Sequence, residues 1–289
     1  MNQSGTNIIQ ISNITEISAI YFALLQCGYQ FHTIGRSQKH ISCIDRFLRK
    51  DSTFQFFEGA KQNTCEVYPY WPRASILETA SFYLQPDHSR FKDYMAFYNK
   101  IMDACNIADF ERDQKLWDWI EGFPAALSNV LTSSMFQCYL EWEKKWLREQ
   151  NIRYGDDLRL IKKHLDLCVA KYCSPVQDIR IVINPIKCVY SSDYHFVGNC
   201  LIVSSGVFKV DSVIHEFFHH VVHLIVMKFA NVVVENKRIY PSVDKSYYLS
   251  GNDAGQLNAF EEYAVRELVG NVMAGNFPND LDSYLRHLI

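Results

Sequence analysis

The stretch VIHEFFHHVVH, Val213 to His223, constrains this chain more than any other. Four of the ten histidines fall within it, beside one glutamate, in a run that is otherwise apolar. Burying a polar group without a partner costs roughly 2–7 kcal/mol. The run must therefore turn its polar groups to water or build a site from them.

A helix resolves the conflict. At about 100° per residue, with His215 at 0°, His219 falls near 40°, Ser212 near 60°, His223 near 80°, Glu216 near 100° and His220 near 140°. The polar groups share one arc, and Val213, Ile214, Phe217, Phe218, Val221, Val222, Leu224 and Ile225 cover the rest. Such a helix packs its apolar side into a core. His215 and His219, one turn apart, can bring two ring nitrogens to one metal ion at about 2.0–2.1 Å. Glu216 points to the flank, where it can reach a water on that ion. This is the HExxH arrangement of two ligands and a general base.

A catalytic zinc keeps three protein ligands and an open position. A nearby histidine in the HExxHxxGxxH pattern would need glycine at 222 and histidine at 225, and the chain has Val222 and Ile225. The third ligand must come from elsewhere. A later helical pattern, from about Gln256 to Ala274 and stopped by Gly275, contains NAFEEYAVREL. Glu261 shares a face with Ala264, Val265 and Leu268, whereas Glu262 lies one turn from Arg266 in the favourable orientation for a surface ion pair. Glu261 is the expected ligand, and Glu262 is the next choice.

HEFFH followed by EEYA some forty residues later resembles the gluzincin branch of zinc metallopeptidases. The resemblance covers about residues 178–275. It implies a zinc ion on two histidines and a glutamate, with Glu261 and Ala264 matching an ExxA context. It also implies a small sheet whose edge strand, by the resemblance CLIVSS, runs antiparallel to bound peptide. The chain departs at Val265, where many members carry an aspartate that orients a zinc-bound histidine. Metal-bound imidazoles usually donate their other N–H, so another acceptor is expected.

The rest of the chain sets the frame. Up to about residue 175 the apolar residues recur at helical spacing: Ile17, Ile20, Tyr21, Leu24 and Leu25; Met135, Tyr139, Trp142 and Trp146; Leu158, Ile161, Leu165, Cys168 and Tyr172. The charge run EWEKKWLREQ reads as a solvated helix face. After Ser174-Pro175 the texture changes. DIRIVINP alternates Ile179, Ile181 and Ile183 as a strand does, and CLIVSS reads as a second strand. YSSDYHFVGN between them reads as a loop, and Asp211 or Ser212 as the N-cap of the histidine helix. The expected class is α+β: a mainly helical part over 1–175, able to pack as one unit with a zincin-like metallopeptidase part over 176–289.

Nine cysteines without a CxxC pair suit reduced thiols. The N-terminal residues carry no basic leader, and Ala19 to Leu25 is too short to span a membrane. A cytoplasmic protein is expected. A net charge of -3 disfavours nucleic acid and anionic membranes as partners. The expected function is zinc-dependent hydrolysis of a peptide or protein substrate with Glu216 as general base. The alternative is a zinc-binding regulatory or interaction protein on the same scaffold. Tyr194, His195, His223, Tyr247 and Tyr248 are candidate oxyanion donors, and none is chosen. His223 can also act beside the ligands, and His220 reads as an ordinary half-buried histidine.

Overall fold

The computed structural model describes residues 9–50, 52–64, 73–108, 114–240, 242–244 and 253–289. Tyr247 and Tyr248 lie outside the described residues. Among the described residues the short strand β1 (Ile11–Ser12) comes first, followed by nine α-helices: α1 (Thr15–Gln26), α2 (Gln38–Asp45), α3 (Ala60–Thr64), α4 (Ser75–Ser81), α5 (Tyr94–Ala108), α6 (Gln114–Ile120), α7 (Phe123–Thr132), α8 (Ser134–Arg153) and α9 (Gly155–Lys171). Strands β2 (Asp178–Ile183), β3 (Ser192–Val197) and β4 (Cys200–Ser205) follow. Helices α10 (Val210–Lys228), α11 (Ala230–Asn236), α12 (Asp253–Met273) and α13 (Leu281–Leu288) complete it. The class is α+β, as expected.

The sheet order is β1-β2-β4-β3. β1 and β4 both run parallel to β2, while β3 runs antiparallel to β4 and forms an edge. This corrects two expectations. YSSDYHFVGN is not a loop, since it contains β3. CLIVSS is not the edge strand, since β4 is paired on both sides. A two-residue turn with Gly198 at φ 60° joins β3 to β4.

Both faces of the sheet are covered. Ile179, Ile181, Ile183, Leu201 and Val203 join a core with α9, α10 and α12. Val182 and Ile202 turn to the opposite side, into a core built on α1, α4 and α7. The cores do not divide at residue 175. Leu158, Ile161, Leu165 and Cys168 of α9 pack with the histidine helix, and Ile11 of β1 belongs to the same core. The loop after β2 is clamped from the first part: Arg36 donates to the carbonyls of Lys187 and Gly206. A Cβ on Gly206 would meet the Cys188 carbonyl oxygen at 2.2 Å, so only glycine fits that crossing.

The two site helices differ from expectation at their ends. α10 starts at Val210 with Lys209 as N-cap and no side-chain cap bond. Asp211 instead sits in the first turn, where its charge suits the helix dipole. α12 ends at Met273, and Gly275 at φ 81° closes it: Gly275 N–H donates to the Val272 carbonyl and Asn276 N–H to that of Asn271.

One member of the charge run EWEKKWLREQ is not solvated. Glu143 is fully buried on α8, where it accepts from the Tyr139 hydroxyl at 3.0 Å and the Asn13 amide at 3.4 Å. Burial pushes its carboxyl up to about 7. The fold therefore favours the protonated form. Its contribution is intact below the unfolded pKa near 4.5 and is lost as pH rises through about 7. The shift is worth about 3 kcal/mol. Glu143→Gln is expected to remove this fall, becoming more stable than the parent at pH 8 but not at pH 4.5. Urea denaturation across that range checks it, and parallel pH slopes for the two proteins would rule it out.

Among the described residues no single helix is long and apolar enough to cross a membrane. The seven cysteines whose side chains the structure describes are all free.

Candidate metal centre

α10 and α12 pack side by side and bring the site together. His215 Nε2 and His219 Nε2 lie 3.0 Å apart. Glu262 Oε2 lies 3.5 Å from each. Ligands about 2.0–2.2 Å from a tetrahedral ion sit about 3.3 Å from one another. The three atoms form that triangle, so the residues fit a zinc ion.

The carboxylate in the triangle is Glu262, and this corrects the choice of Glu261. Glu262 does pair with Arg266, with Nε 2.6 Å from Oε1, as the spacing predicts. That pair is not a surface feature, because the Glu262 side chain is only 7% exposed. Arg266 holds Oε1 and leaves Oε2 to the histidines. It also donates to the Ser242 carbonyl, which fixes the guanidinium in turn. Although burial opposes ionisation, His215 and His219 hold the Glu262 carboxyl far below the usual range.

Glu261 has a different place. Its Oε1 accepts from His219 Nδ1 at 2.8 Å and its Oε2 from His223 Nδ1 at 2.8 Å. With the proton on Nδ1, His219 presents a lone pair at Nε2, the tautomer a metal needs. Glu261 is therefore the acceptor that the absence of an aspartate at position 265 left open. Burial works against its ionisation, yet the two histidines hold it at about 2. Burial likewise opposes a charge on His219, but Glu261 and Glu262 carry that histidine up to about 10 when it binds protons alone. This is a competition that metal binding must displace.

Glu216 is buried at 8% exposure, beside the ligand helix's own histidines. Burial raises its pKa, while His219 and His215 lower it. A buried carboxylate beside a metal triangle and held above its usual pKa is what a general base requires.

The strand β3 splits the remaining candidates by its two-residue alternation. Tyr194 stacks on His219, with ring centroids 6.0 Å apart and planes 8° apart. It stays a candidate donor beside the metal triangle. Burial and the nearby Glu261 and Glu216 hold its hydroxyl protonated. His195 points to the other face, with Nε2 3.0 Å from Glu78 Oε2 and Nδ1 3.3 Å from Thr79 Oγ1. It is removed as an oxyanion donor. His220 packs against Phe196 at 4.2 Å between centroids, and burial lowers its pKa.

Sequence reasoning missed the buried charges behind β3. Lys187 Nζ contacts Glu78 Oε1 at 2.8 Å, Asp193 Oδ2 at 2.6 Å and Ser204 Oγ at 3.1 Å. The Tyr21 hydroxyl donates to Glu78 at 2.7 Å. Arg73 Nη1 lies 3.3 Å from Asp193 Oδ1. The only signal was the polar alternation Asp193, His195 within YSSDYHFVGN, which also suits a loop.

Comparisons with protein-family models, curated proteins and solved structures find no match for this chain.

Proposed function

We propose that this chain is a zinc-dependent peptidase of gluzincin type, with His215, His219 and Glu262 as ligands and Glu216 as general base. The observation that carries the reading is the triangle of His215 Nε2, His219 Nε2 and Glu262 Oε2, with 3.0 Å and 3.5 Å edges. When bound, zinc supplies a Lewis acid that brings the pKa of water toward about 7 and polarises a carbonyl.

The chain's own groups do the rest. Glu216 takes the proton of the attacking water and hands it to the leaving amine. Glu261 fixes the His219 ring and its tautomer. Arg266 fixes the Glu262 carboxylate. Tyr194, against His219, places a protonated hydroxyl where a donor to the developing oxyanion is useful. The outer edge of β3 is unpaired by any described strand, and such an edge accepts an extended peptide by main-chain hydrogen bonds. That supports a peptide substrate and a zincin-like arrangement, with β3 in the place the resemblance gave to CLIVSS.

Glu216→Gln tests the reading. The variant is expected to keep about one zinc per chain and to lose peptide cleavage by about 10²–10⁴-fold in kcat. Zinc content and a quenched-peptide assay are measured on the same preparation. Cleavage unchanged in the variant, or a native protein that binds no zinc, would overturn it.

A further inference from the structure

The hairpin that carries β3 fixes which of its backbone groups face outward. Val197 pairs with Cys200 across a turn of two residues. Gly198 has φ 60° and Asn199 a negative φ, the pattern of a type II′ turn. Such a turn closes on a hydrogen-bonded pair, and the pairs alternate from there along the ladder. Val197, His195 and Asp193 therefore turn their N–H and C=O groups to β4, and Phe196, Tyr194 and Ser192 turn theirs to the outer edge.

Side chains alternate in the same step. Tyr194 and Phe196 pack on the core that holds α10 and α12, while Asp193 and His195 meet Lys187 and Glu78 on the far face. The residues that offer backbone bonds to a peptide are thus the ones whose side chains face the metal centre. In an antiparallel pair, opposed residues put their side chains on one face, about 4.5–5.5 Å apart at Cβ. A peptide residue opposite Tyr194 lies beside His219, on which Tyr194 stacks at 6.0 Å, and so flanks the bond to be cut. Because the strands run in opposite directions, the residue opposite Phe196 comes earlier in the peptide, and its side chain meets Phe196. The surface waiting there is apolar. Phe196 is half-buried, and its ring centroid lies 4.2 Å from that of His220, the residue after His219. Leu224, one turn along α10 from His220, is 74% exposed. An apolar side chain laid on this strip takes apolar surface out of water, whereas a charged one loses hydration without gaining a partner.

We propose that Phe196 is the specificity residue of the cleft and takes an apolar or aromatic side chain of the substrate, about two or three residues on the amino side of the scissile bond. The position relative to a cut rests on the peptidase reading and its antiparallel peptide. The contact with Phe196 does not rest on cleavage, and the experiment separates the two.

A peptide of alanine and serine is made with a single phenylalanine at each internal position in turn, beside the version without it. Zinc-loaded native protein is assayed for cleavage, and mass spectrometry reads each cut. Binding is measured by calorimetry on zinc-loaded Glu216→Gln protein, where no cleavage is needed. Phenylalanine is expected to raise kcat/KM and to tighten binding by about tenfold over the plain peptide, with the cut on its carboxyl side at the stated spacing. Phe196→Ala, made in both backgrounds, is expected to bring both ratios to about one. Phe196→Leu is expected to leave them in between, since leucine keeps an apolar contact. Zinc content and thermal melts show that each variant is folded and loaded. Equal binding with and without phenylalanine overturns the proposal. So does a cut placed without regard to the phenylalanine or on its amino side, or a ratio that survives Phe196→Ala, and each of these leaves the peptidase reading standing. If native protein cuts none of the peptides, the peptidase reading falls, and the calorimetric ratio still decides whether Phe196 takes an apolar side chain.

Discussion

Glu262→Gln is expected to weaken zinc binding by on the order of 10³-fold, since it removes one of three ligands from a site whose total binding is of order 10 kcal/mol. Glu261→Gln is expected to weaken it by only about 10–100-fold, the usual cost of losing the group that orients a metal-bound histidine. The contrast follows from geometry. Glu262 Oε2 sits 3.5 Å from both Nε2 atoms, whereas Glu261 touches the far nitrogen, Nδ1, of His219 at 2.8 Å. Competition with a chromogenic chelator measures both variants, and circular dichroism shows that α10 and α12 remain helical. If Glu261→Gln loses the metal and Glu262→Gln keeps it, the ligand assignment is reversed. Glu261→Gln should also free His223, whose Nδ1 has Glu261 as its acceptor at 2.8 Å.

Lys187→Met is expected to destabilise the protein by about 3–5 kcal/mol at pH 7, the cost of breaking a buried ion pair from one side. Lys187 is fully buried, and its loss leaves Glu78 and Asp193 facing each other without the cation between them. The pH dependence carries the sign. Burial opposes the charge on Glu78, but Lys187 and His195 hold its carboxyl far below the usual range. Its stabilising contribution is therefore present above the ordinary value of about 4.5 and is lost as pH falls through the depressed one. In Lys187→Met the lysine's share of that depression is lost and only that of His195 remains, so the carboxyl protonates at a higher pH than in the parent. The gap between the two proteins should narrow from pH 7 toward pH 4.5 in chemical denaturation. A gap below about 1 kcal/mol at pH 7 would show that the network does not tie α4 to the sheet in the way its contacts imply.

Much of the site was legible because it lies on one helix. The relation of His215, Glu216 and His219 depends only on the helical repeat, and a single apolar pattern sets it. The same holds for Ile179, Ile181 and Ile183, whose alternation marks β2. The choice between Glu261 and Glu262 was not of this kind. It assumed that α12 buries one face, so that a glutamate paired with Arg266 must be on the surface. In the fold, α12 is buried around most of its circumference: Ala259, Phe260, Glu262, Ala264, Val265, Leu268 and Val269 are all covered. Both glutamates therefore point inward, and the ion pair with Arg266 is itself part of the site.

β3 was missed for a related reason. SDYHFV alternates, but its polar positions would be exposed on an ordinary edge strand. Here Asp193 and His195 are buried, and Lys187, Glu78 and Arg73 meet them from other parts of the chain. No local pattern announces such partners, because Glu78 and His195 lie more than a hundred residues apart. Glu143 is the same case in smaller form, a charged letter inside a charged run that tertiary packing encloses.

The sequence by itself determined the histidine helix, its apolar anchoring side, the pair of histidines one turn apart and the glutamate beside them. It also offered Glu261 and Glu262 of the later helix as candidate third ligands. Only the tertiary structure decided which carboxylate completes the triangle, which strand forms the edge beside it, and how charges from distant parts of the chain meet on the far face of that strand. Short-range relations are fixed by backbone geometry within a few residues. Long-range ones depend on how two helices rotate against each other, and a rotation of roughly one residue's 100° exchanges Glu261 for Glu262.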